Sequence, residues 1–132
     1  MWKNLTVIIM KPILLIFTLF ICGHSFAYEN QDFENKYNQL SKAMDDSVVN
    51  SIAFSSSDKS QSTNLVCLSV LDKINFVSYI IDNYSDYTEM LKKVGMISPP
   101  KDEFLEMKVS YLSEIEEYKK ALTGTKYNCT PE

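Results

Sequence analysis

The chain has 132 residues and a formal charge of −4, its thirteen basic residues all lysine, against seventeen acids. One His, one Trp, no Arg and three cysteines complete a composition that suits one small domain. The acidic balance argues against nucleic acid, whose binding rests on neutralising phosphates with Lys and Arg.

Residues 1–27 read as an export leader. Lys11 precedes the apolar run 13–22, and Ser25 and Ala27 supply the small residues three and one before the cut. Lys11 and Pro12 separate this run from the apolar stretch 5–9, so neither piece reaches the roughly 20 residues of a spanning helix. Met10-Lys11-Pro12 already opens a complete leader, which predicts translation from Met10. Cleavage after Ala27 removes the only His (His24), the only Trp (Trp2), Cys22, Lys3 and Lys11. The domain 28–132 then carries eleven lysines against the seventeen acids, a net charge of −6.

Two cysteines remain, Cys67 and Cys129. An even pair in an exported small domain predicts one disulfide, which staples the C-terminal tail to a core helix. No Cys-x-x-Cys spacing points to redox chemistry. The export reading places the protein outside the cytoplasm, secreted or periplasmic, with a bacterial envelope favoured.

Helices follow in order. Phe33, Tyr37, Leu40, Met44, Val48 and Ile52 recur at three and four, which predicts a helix from about Gln31 to Ala53. The stretch 55–62 is polar and aperiodic, and reads as a linker. From Leu65 to Ile81 apolar residues occupy most faces, the mark of a central, buried helix. A break at Asn83-Tyr84-Ser85-Asp86, with Ser85 or Asp86 as cap, precedes a short helix that stops at Gly95. Ser98 then caps a last helix from Pro99 to about Leu122, which ends near Gly124. Its apolar stripe is Phe104, Leu105, Tyr111, Leu112, Ile115, Tyr118 and Leu122. The expected fold is all-α, a three- or four-helix bundle stapled by one disulfide.

A domain without His lacks the usual general base and any imidazole for a metal. Without Arg it lacks the bidentate clamp for carboxylates and phosphates. The expectation is therefore no enzyme, no cofactor and no metal. Asp102, Glu103 and Glu106 gather carboxylates on the first turns of the last helix, the ordinary complement to a helix N-terminus. Those three acids and the tyrosines beside the break, Tyr84 and Tyr87, are the candidate partner-binding residues. Asn83 and Asn128 begin glycosylation sequons, which matter only in a eukaryotic source. The function expected is binding of another protein in the cell envelope, in the manner of an inhibitor or immunity factor. The alternative is a periplasmic ligand-binding or chaperone-like helical module. Neither membrane insertion after cleavage nor nucleic acid enters either reading, and the oligomeric state stays open.

Overall fold

A computed structural model describes residues 30–54 and 57–130; the expected leader and cleavage site lie outside them. The described chain is all-α, with four helices: α1 (Gln31–Ala53), α2 (Lys59–Asp82), α3 (Tyr84–Lys93) and α4 (Lys101–Leu122).

The helix starts follow from local chemistry. Asn30 Oδ1 accepts the Phe33 N–H at 3.0 Å and caps α1, whose bounds are those expected from its stripe. Asp58 does the same for α2, accepting the N–H groups of Ser60 and Gln61. The linker is therefore shorter than its composition suggests. Polar residues 59–62 form the first turn of α2, where capping outweighs the missing periodicity.

Asn83 ends α2 and begins α3 in one step, its Nδ2 donating to the Tyr79 carbonyl at 2.9 Å. Neither Ser85 nor Asp86 is the cap. Asp86 instead accepts from Asn30 Nδ2 at 2.9 Å, tying the start of α1 to α3. Ser98 and Pro99 also fall outside α4, which begins at Lys101 after Pro100. A residue that precedes proline is pushed out of the α region, so Pro99 stays extended and the helix starts two residues late.

At the end of α3, Met96 N–H donates to Leu91 O at 2.9 Å and Gly95 N–H to Lys92 O at 3.1 Å, the two bonds of a Schellman cap. Gly95 holds φ +74°, and a Cβ built there meets no atom within 4 Å. Gly95→Ala thus pays only for its left-handed backbone, and should lower stability by about 1 kcal/mol in urea titration. Unchanged stability would mean that this cap does not persist in solution.

α2 is the middle of the bundle. Its residues Cys67, Val70, Ile74, Val77 and Ile81 share one line that meets α4, while Phe76, Tyr79 and Ile80 meet Phe33 and Tyr37 of α1. α1 and α4 both run antiparallel to α2 and flank it, and α3 lies across one end. There Tyr87 and Leu91 join Phe33, Val77, Ile80, Ile81 and Phe104 in one cluster. At the other end Cys67, Val70, Ile115, Leu122 and Cys129 form a second. α2 is also the one helix among the described residues long and apolar enough, by length and composition, to span a membrane. Its apolarity is that of a core helix covered from two sides.

The Cys67–Cys129 disulfide is present, with Cα atoms 5.6 Å apart. Cys129 N–H also donates to Asn64 Oδ1 at 2.9 Å, so two adjacent groups of α2 hold the tail. Such a bond is compatible with an oxidising compartment.

Candidate partner-binding site

The residues singled out in the sequence do not form one surface. Tyr87 is in the core, with 8% of its surface exposed, its ring edge-on to Phe104 at 5.5 Å and 6.0 Å from Tyr37. It stands three residues after Tyr84 on a helix whose inner face closes the bundle end, so the pair is not exposed together. Burial raises its phenol above the ordinary value, and does the same for Tyr37, Tyr79 and Tyr118; for Tyr118 a hydrogen bond to Glu114 adds to the effect. These four hydroxyls stay protonated at neutral pH and supply no nucleophile.

Tyr84 is half-buried and has a specific job. Its hydroxyl donates to the Pro99 carbonyl at 2.7 Å, and Ser98 Oγ approaches the same carbonyl at 2.9 Å. These bonds pin the α3–α4 connection to α3 from its far side, while the Schellman cap pins it at Gly95. Pro99 and Pro100 stiffen what lies between, since each fixes its own φ. The result is a short, braced loop whose apolar side chains have nowhere to go. Val94 and Met96 are exposed, and Ile97 is 94% exposed, the highest value among the large exposed apolar residues.

Asp102 and Glu103 stand on the first turn of α4 directly after this loop, and Glu106 one turn further; all three are exposed. Lys92 and Lys93 precede the loop at the end of α3, and Lys101 opens α4 on the same flank as the acids; all three are exposed. The exposed apolar tip is thus preceded and followed in the chain by exposed charges of both signs. Asp102 and Glu103, in the first turn, complement the dipole of α4.

Val94, Met96 and Ile97 were not among the residues expected to matter. Val94 counts by spacing with Met90 and Leu91 on the short helix, yet it is exposed; for Met96 and Ile97 the signal lay in their position, after a helix-ending glycine and before two prolines, where no helical stripe can include them. No group of three or more His, Cys, Asp or Glu side chains able to hold a metal occurs among the described residues. Asn83, the first sequon residue, spends its side-chain amide on Tyr79, whereas Asn128 is exposed and accepts from Thr130. No protein-family model, no curated protein and no solved structure matches the chain.

Proposed function

We propose that this is an exported, non-enzymatic protein that binds another protein of the cell envelope, presenting the α3–α4 loop to it. The observation that carries the reading is Ile97, an apolar side chain left in water at 94% exposure on a loop braced at both ends. Rigid display of an apolar anchor lowers the ordering cost of association, which is what an inhibitor or immunity factor requires. The absence of His and Arg from residues 28–132 supports the non-enzymatic part, and the disulfide supports an extracytoplasmic location.

A ligand-binding module would ask for an enclosed apolar cavity. The cleft between α1 and α2, of about 340 Å³, is a surface feature with Asn50, Asp72 and Asn75 among its lining residues, and suits a macromolecule better than a small apolar ligand.

A photo-crosslinking residue at position 97, in cells of the natural source, should give one adduct with an envelope protein. The same residue at position 117, on the far half of α4, should give none. The captured protein should bind an Ile97→Asp variant about 100-fold more weakly, with the melting temperature of that variant unchanged. No adduct, equal adducts from both positions, or full affinity for the variant each overturns the reading.

A further inference from the structure

Residues 28–132 offer an oxidant few readily oxidised side chains. They contain no Trp and no His, and their two cysteines are joined to each other inside the bundle. That leaves the thioethers of Met44, Met90, Met96 and Met107, which take up oxygen according to how exposed they are.

The four differ in access. Met90 packs against the core cluster at the α3 end, and Met44 is half-buried on α1. Met107 on α4 is 38% exposed, whereas Met96 is 59% exposed. The approach to Met96 is open on its preceding side as well, since a Cβ built on Gly95 meets no atom within 4 Å. Its backbone is nevertheless fixed, because the Met96 N–H is the donor to Leu91 O that closes the α3 cap. A pinned main chain thus holds the side chain in water, one residue from Ile97. Met96 belongs to neither core cluster, so a change at its sulfur leaves the packing of the bundle alone.

We propose, as an extension that rests on the binding role of the α3–α4 loop, that Met96 is an oxidation switch for that contact. The oxidant is a two-electron oxygen donor, hydrogen peroxide or hypochlorous acid. A lone pair of Met96 Sδ attacks the oxidant's hydroxyl oxygen and an S–O bond forms while the O–O or O–Cl bond breaks. Sulfur gives up two electrons, and the proton on the transferred oxygen leaves with hydroxide as water, or beside chloride. The product is a sulfoxide, a polar acceptor that must lose its water before an apolar partner surface can close over the tip. A thiol-dependent sulfoxide reductase returns the thioether, so the switch runs both ways.

Peroxide added to the purified protein, with oxidation followed peptide by peptide in mass spectrometry, should reach Met96 first. Its rate should exceed those of Met44 and Met90 about tenfold, with Met107 in between. Protein oxidised at Met96 alone should keep its melting temperature. With the photo-crosslinking residue at position 97 and the captured envelope protein present, it should give about a tenth of the adduct of untreated protein. Met96→Leu keeps the tip apolar and removes the sulfur, and its adduct should be the same before and after peroxide. Oxidation of another methionine ahead of Met96, an adduct unchanged by the sulfoxide, or a Met96→Leu variant still silenced by peroxide overturns the switch and leaves the binding role standing. Untreated protein that captures nothing overturns both.

Discussion

Reduction of the Cys67–Cys129 bond, or the double replacement Cys67→Ala/Cys129→Ala, should cost the domain about 4 kcal/mol. The bridge closes a sequence separation of 62 residues, and the chain-entropy model gives that magnitude for a loop of this length. Its effect should be local as well as global. Cys129 holds φ +58°, in the left-handed region that a residue with a Cβ occupies at a cost of about 1 kcal/mol. The disulfide and the bond from its N–H to Asn64 are what keep it there. Once the covalent link is gone, the backbone can relax, and the tail that covers Leu122 and Val70 should leave with it. A melt followed by circular dichroism should fall by roughly 20 °C with reductant, given about 4–8 °C per kcal/mol for a domain of this size. Hydrogen exchange should rise first in the Asn64–Leu71 half of α2, and less around Val77–Ile81, which lies under α3. Equal melting with and without reductant would show that the tail is held by packing alone.

How much of this was legible depended on what kind of physics fixed each feature. The bounds of α1 and the termination of α3 at Gly95 were readable, because a helical stripe and a left-handed glycine are local signals. The disulfide followed from counting, once Cys22 was set aside with the expected leader. The start of α2 was hidden, since an aspartate cap starts a helix whether or not its first turn is apolar. The start of α4 was misplaced by the second proline, which acts on the residue before it. Leu105 and Leu112 were counted with the inner stripe of α4, yet they are exposed. Composition says that a helix has two apolar lines; only the neighbours say which one is covered. The loop tip at Ile97 was invisible for a similar reason, because a hydrogen bond from Tyr84, fifteen residues away, is what holds it out.

Phe33 and Ile52 show the same limit in one helix, and the difference between them is measurable. Both lie on the periodic stripe of α1, and periodicity alone gives them equal weight. In the bundle Phe33 is 2% exposed, stacked on Tyr79 at 5.4 Å and within 5.9 Å of Tyr37, and it belongs to the cluster that joins α1 to α2, α3 and α4. Ile52 is 79% exposed at the other end, where α1 runs past the core beside the open cleft. Phe33→Ala should therefore cost about 3–5 kcal/mol, the range for a large core aromatic whose site cannot collapse. Ile52→Ala should stay within about 0.5 kcal/mol. Since α1 is fastened to the bundle chiefly through Phe33 and Tyr37, the first variant should also lose amide protection along α1 before α2 and α4, which the disulfide keeps together. Chemical denaturation gives the free energies, and hydrogen exchange gives the order of loss. Comparable costs for the two variants would mean that the far end of α1 is covered in solution.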